Sequence, residues 1–288
     1  MNNVYKKILL VFLLGIMNRE STCDASYTKE QKFVLIISLY NETDRERMQE
    51  YITCFEHNLK HPLIHGIHVL YDTSKDSRAN KLLQYLESKK IKMSYITSRP
   101  TYASCFDLAN KLYPNSKIIL SNADIYFNET LEDMASFNLT DKFLALTRWN
   151  VKKDGSIELF KQYYGGALRL DMSYASQDTW MFKTPLKKFK EANIKLGTMT
   201  CDTLISYQAW ASGLDVFNPC LSIQCCHLHL SEIRHYDTWS HVMDKPLKIL
   251  PWVTLYNESI PEYPVITELR NPEIYYKLQK DRMNGIKI

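Results

Sequence analysis

Asn122 and Asp124, in the stretch Lys117–Phe127 (KIILSNADIYF), have the residue types and spacing to hold a hard divalent cation through oxygen. A cation held there can in turn hold a diphosphate. The preceding run Lys117–Leu120 is short, apolar and β-branched, which predicts a buried strand. Ser121, Asn122 and Asp124 then fall where a parallel strand would leave its sheet, the edge at which open α/β sheets collect ligands. The competing reading of Asp124 is a cap on the helix or turn that starts near Asn128. A second cluster, Cys220, Cys225, Cys226, His227 and His229, is rich in metal-ligand types, but its spacing fits no standard closed zinc pattern.

Other side chains extend the candidate chemistry. Tyr40 offers an aromatic face for a nucleobase, and Asp72 a carboxylate for base or ribose; each follows an apolar run. Arg99 and Arg148 are candidate phosphate or acceptor contacts. Asp178 can hold an acceptor or serve as general base, provided it lies within hydrogen-bond reach of the attacking hydroxyl. Asp202 falls in the first turn of an expected helix. There the dipole lowers its pKa and makes it a poor free base, and helix capping is the competing role. Trp149, Tyr163, Tyr164 and Trp180 could stack on a sugar, although burial is the commoner fate of such rings. With 8 glycines and neither G-x-G-x-x-G nor G-x-x-x-x-G-K-[ST], the chain has no glycine-rich phosphate loop. Any nucleotide phosphate must be held by a metal and side chains.

The elements that must position these residues follow from periodicity. Lys32–Leu39, Ile67–Tyr71, Ile91–Ile96 and Lys117–Leu120 are predicted strands; Arg45–Leu59, Ala79–Leu86 and Tyr102–Leu112 are predicted helices between them. This alternation predicts a doubly wound, mainly parallel sheet in the N-terminal half, flanked by helices. Further strands are predicted at Phe143–Thr147, within Tyr163–Leu170, at Ser176–Phe182, Val216–Phe217 and Leu221–Cys225. A helix over Asp202–Ser212 stops at Gly213. The last fifty or so residues, with Trp239, Trp252 and several prolines, are expected to pack as irregular structure.

Composition and termini set the remaining bounds. The 288 residues suit one mixed α/β domain over 24–288. Lys6 and Lys7 precede an apolar run, Ile8–Met17, that is too short to span a bilayer, so residues 1–23 are expected to be a signal peptide. Export or entry into the secretory pathway follows. The alternative is an uncleaved segment giving peripheral membrane association. Losing Lys6, Lys7, Arg19 and Glu20 lowers the formal charge of +4 to +2, and so near-neutral a chain gives no sign of nucleic-acid binding. Six cysteines would then remain (Cys54, Cys105, Cys201, Cys220, Cys225, Cys226), an even count that permits disulfides without fixing a pairing. Sequons stand at Asn41, Asn128, Asn138 and Asn257.

SLYNE after the first strand, YDTS after the second and NADIYF after the fourth resemble the GT-A fold of nucleotide-sugar glycosyltransferases. The stretch GTMTCDTLISYQAWASGLDVFNPC (Gly197–Cys220) resembles the region of inverting, family-two-like enzymes where an acidic residue opens a helix. RPTY at Arg99 and HLHLSEIRHY at His227 resemble a subgroup of small GT-A-like proteins of bacteria and large viruses. The resemblance covers about residues 33–236. It implies a Rossmann-type mixed sheet and transfer of a single sugar rather than polymerisation, since the Gln-x-x-Arg-Trp motif of processive synthases is absent. It also implies an inverting reaction, a nucleotide-diphosphate sugar donor, a glycan or other hydroxyl acceptor, and Mn2+ or Mg2+. Carried onto this chain, Asp72 would contact base or ribose, Asn122 and Asp124 the metal and diphosphate, His229 or His227 the same metal, and Asp202 would be the base, with Asp178 second. Asn122 departs from the family's usual Asp and leaves one carboxylate fewer, and Cys201-Asp202 replaces its usual acidic pair. That loss favours the alternative of an exported carbohydrate-binding protein on an inactive scaffold; a third reading is a secreted zinc hydrolase built on the Cys/His cluster.

Overall fold

A computed structural model describes residues 27–75, 81–89, 91–231, 233, 245–256 and 265–266. The expected signal peptide, Arg234, Tyr236, Trp239 and the Asn257 sequon lie outside the described residues. The chain forms the expected mixed α/β architecture around a seven-stranded sheet. Its N-terminal half contributes β1 (Phe33–Tyr40), α1 (Arg45–Lys60), β2 (Ile64–Asp72), α2 (Lys81–Ser88), β3 (Lys92–Ile96), α3 (Tyr102–Leu112) and β4 (Lys117–Ser121). Short strands follow: β5 (Ile125–Phe127), β6 (Lys142–Leu146), β7 (Trp149–Val151), β8 (Ile157–Leu159), β9 (Tyr163–Tyr164) and β10 (Ala167–Leu168). Then come α4 (Leu170–Tyr174), β11 (Thr179–Lys183), α5 (Cys201–Ala211), β12 (Asp215–Phe217) and β13 (Cys225–His227), with a terminal pair β14 (Leu247–Lys248) and β15 (Val265–Ile266).

The main sheet runs β12-β6-β11-β4-β1-β2-β3. β1 through β4 pair in parallel, and β11 is antiparallel to both β4 and β6. The continuous apolar run of β1 suits its central place, because a strand covered by helices on both faces buries every side chain. Its residues divide with period two. Phe33, Leu35, Ile37 and Leu39 pack toward Tyr51 and Phe55 of α1 and Leu82 and Leu86 of α2. Val34 and Ile36 pack toward Tyr102 and Phe106 of α3 and Leu204 and Ile205 of α5.

A second sheet, β5-β13-β7-β8, stands beyond the end of β4. Three local expectations change. Leu221–Cys225 is not a strand: the turn there leads to β13 at Cys225–His227. The strand expected within Tyr163–Leu170 is present as a short hairpin, β9–β10, turning on Gly165 and Gly166, both at positive φ, and its continuation from Leu170 is helical, as α4. Asp178 sits just before β11, not within a strand. The turn after NADIYF is present, as a 3-10 helix over Glu129–Met134, but Asn128 caps it and Asp124 does not. Among the described residues no helix is long and apolar enough to cross a membrane.

Candidate active site

Parallel pairing delivers the ends of β1, β2 and β4 to one edge. The register sets Tyr40 beside Asp72 and Ile37 beside Ser121. A cleft of about 220 Å³ opens there. It is lined by Tyr40, Asp72, Arg99, Asn122, Asp124, Arg148, Asp178, His227 and His229, all expected from the sequence, and also by Arg47 and Tyr51. Asp202 does not line it.

Asp124 is the buried centre of this arrangement, 7% exposed. β13 runs antiparallel to β5 with His227 opposite Ile125, and the Leu228 amide donates to the Asp124 carbonyl at 2.9 Å. That pairing carries His227 onto the carboxylate, with Nε2 3.2 Å from Asp124 Oδ2. The strand ends at His227, so the alternation by which a continuing strand would send the two histidines to opposite faces does not apply to His229. One ligand atom from each of Asp124, His227 and His229 lies within 4.8 Å of the others. Asp124 Oδ1 is buried and has no hydrogen-bond partner. An unsatisfied carboxylate oxygen beside two imidazoles suits a divalent cation, because a buried anion without a partner is costly. No cysteine joins this group. Cys225 turns its thiol to the Leu146 and Thr147 carbonyls, and all six described cysteines are buried and free, so the Cys/His zinc cluster does not form.

Helix α1 supplies residues that the sequence reading passed over. Arg47 Nη2 donates to Asp124 Oδ2 at 2.5 Å, and Nη1 donates to Glu50 Oε2 at 2.8 Å. The guanidinium lies 4.6 Å from the centre of the Tyr51 ring. Glu50 in turn accepts from the Leu230 amide at 2.6 Å, the Ser231 amide at 2.7 Å and the Ser231 hydroxyl at 3.0 Å, which fixes the segment bearing His229. Farther along α1, Asn58 bonds both the Ile125 carbonyl and the Phe127 amide, clamping β5. A signal was available: Arg47, Tyr51, Cys54 and Asn58 recur at helical spacing on the buried face, and a charged residue there requires a partner. Burial pushes the Asp124 carboxyl upward, but His227 and Arg47 outweigh it and hold the pKa well below the usual range.

The opposite wall is a second charge cluster. Asp178 Oδ1 accepts from Asn122 Nδ2 at 2.8 Å, and Oδ2 pairs with Arg148 at 2.9 Å. Asn122 therefore engages Asp178. Arg148 packs 4.0 Å from the centre of the Phe160 ring. Behind Asp178, Asp202 accepts from the Cys201 thiol at 3.0 Å and the Gln177 amide at 3.3 Å. Its pKa is not lowered by the helix dipole, contrary to expectation. Burial, with the Asp178 charge nearby, pushes it up to about 7. Desolvation outweighs the partial charge of the helix end.

Arg99 makes no ion pair among the described residues and lies over Gly197, where an added Cβ would meet Nη2 at 3.6 Å. Among the described side chains, Trp149, Tyr163 and Trp180 do not assemble into an aromatic platform; the side chain of Tyr164 lies outside those described. Trp180 is 2% exposed and packs edge-on against Tyr102 in the core. Trp149 donates its indole N–H to the Cys220 carbonyl, and Tyr163 is exposed on the β9–β10 hairpin; neither lines the cleft. Of the described sequon residues, Asn41 is buried, Asn128 bonds Gln224 and Asn138 is exposed.

No family model and no curated protein sequence matches the chain. Solved structures of similar chain path include TarS of S. aureus, at 20% identity and TM-score 0.40, covering 69% of this chain and 35% of that one. Another is the mannosyltransferase PcManGT of Pyrobaculum calidifontis, in complex with GDP-Man and Mn2+, at 11% identity and TM-score 0.46, covering 82% and 68%. A third is GalNAc-T7 with UDP, GalNAc and Mn2+, at 12% identity and TM-score 0.46, covering 69% and 43%. The chain thus spans about a third of the length of TarS. Likeness at this level says nothing of chemistry, which rests on the residues of the cleft.

Proposed function

We propose that the cleft binds a nucleotide-diphosphate sugar and transfers one sugar, with inversion, to a hydroxyl acceptor. The observation that carries this reading is the convergence of these groups at one sheet edge. Asp124, His227 and His229 cluster around an unsatisfied carboxylate oxygen and could hold a cation, Tyr40, Asp72 and Arg99 line the same cleft, and Asp178 adds a carboxylate. A divalent cation, Mn2+ or Mg2+, held by Asp124, His227 and His229 would neutralise charge on the diphosphate. Tyr40 and Asp72, adjacent in register, orient base and ribose, and Arg99 is the cation available to phosphate oxygens. The acceptor hydroxyl enters on the Asp178 side. Its oxygen attacks the anomeric carbon as the bond to the diphosphate breaks, the electron pair leaving with the diphosphate. The hydroxyl proton passes to the Asp178 carboxylate, the acidic group on the cleft, with Asp202 as the second candidate behind it. We place the protein in the secretory pathway or outside the cell, with peripheral membrane association as the alternative to cleavage of residues 1–23.

Calorimetric titration of the full chain with a panel of nucleoside diphosphates, with and without Mn2+, tests this. Mn2+-dependent binding that disappears in a folded Asp124→Ala variant and weakens in Arg99→Ala is expected. Absence of binding to every nucleotide, with or without metal, would overturn the transferase reading and leave the carbohydrate-binding alternative.

A further inference from the structure

Arg47 and a divalent cation would draw on the same carboxylate. Arg47 Nη2 takes Asp124 Oδ2, which also faces His227, and only Oδ1 is left without a partner. The guanidinium is not held by Asp124 alone. Glu50, the Leu228 carbonyl and the face of Tyr51 also hold it. These contacts matter because a buried arginine with a single partner could not release it without stranding a charge. With Glu50 and Tyr51 in place, Arg47 can give up part of its hold on Asp124 and remain satisfied. Glu50 has three further donors of its own, from Leu230 and Ser231, and so stays anchored whichever way Arg47 leans.

We propose that Arg47 is an internal competitor of the divalent cation, a built-in counter-ion for Asp124 that sets metal affinity low. The inference rests on the metal site of the proposed function. Its physical basis is simple. The fixed positive charge satisfies Asp124 before any metal arrives and repels a doubly charged ion that comes to the same carboxylate. An anionic ligand in the cleft offsets that repulsion, so metal and diphosphate favour each other's binding, and the coupling is reciprocal.

The test measures Mn2+ binding to the full chain, by calorimetry and by loss of the free-ion electron paramagnetic resonance signal, with no nucleotide present. Arg47→Met removes the charge and roughly keeps the volume; Arg47→Gln also keeps a donor toward Asp124, as insurance against misfolding. Either folded variant is expected to bind Mn2+ about tenfold more tightly than the unmodified chain. The gain should vanish when Asp124→Asn is added. Equal or weaker Mn2+ binding in folded Arg47→Met and Arg47→Gln would overturn the proposal while leaving the metal site standing. Failure of every variant to bind Mn2+, even with a nucleoside diphosphate present, would sink the metal site and the competitor together.

Discussion

Asp202 offers the sharpest check on the electrostatics of the site. In the folded chain its carboxyl is pushed from the ordinary 3.8 up to about 7, by burial first and the Asp178 charge second. Between those values the folded state holds a proton that the unfolded chain has released. Stability therefore falls as pH rises through this window, and the full penalty is present above about 7. The rise corresponds to about 4 kcal/mol, an upper bound because Asp202 keeps part of its surface in water. Asp202→Asn removes the titration but retains an acceptor for the Gln177 amide and the Cys201 thiol. Urea unfolding of both proteins at pH 4, 5.5 and 7.5 isolates the contribution of Asp202 and its interaction with Asp178, since more distant carboxylates, Asp124 among them, cancel in the difference. The variant should match the parent near pH 4 and exceed it in stability by about 2–4 kcal/mol at pH 7.5. A difference that stays flat across the range, or a variant less stable at pH 7.5, would refute the assignment of a raised pKa to this residue.

Glu50→Gln should weaken Mn2+ binding about tenfold or more while the far-ultraviolet spectrum stays unchanged, because its carboxylate fixes the segment carrying His229. Gly197 has φ of +69° beneath Arg99, so Gly197→Ala should cost about 1 kcal/mol in urea unfolding and weaken nucleoside diphosphate binding. Trp180→Ala should lower stability by about 3–5 kcal/mol, as expected of a core ring and not of a sugar platform. An exposed stacking role would instead leave the unfolding midpoint unmoved.

The apolar runs were enough to place β1, β2 and β4, because a parallel strand buried on both faces must be continuously apolar and its polar neighbours must emerge at one edge. That is why Tyr40, Asp72, Asn122 and Asp124 were recognisable as neighbours from the sequence alone. The local sequence also marked Asp178, Asp202 and the His227/His229 pair as chemically apt. Only the tertiary structure decided how these groups are used. The antiparallel pairing of β5 with β13 brings His227 to Asp124 across more than a hundred residues, a contact that no local period encodes. Arg47 hides in an ordinary amphipathic helix, and its partner Asp124 becomes visible only once α1 packs against β5. Trp180 has the composition of a ligand platform, but β11 sits inside the sheet and turns the ring into the core. For Asp202, the helix position argued for a lowered pKa, whereas burial beside Asp178 raises it. Strand periodicity is a property of the backbone, but the pKa of a carboxyl depends on the water and charges that folding removes or brings near.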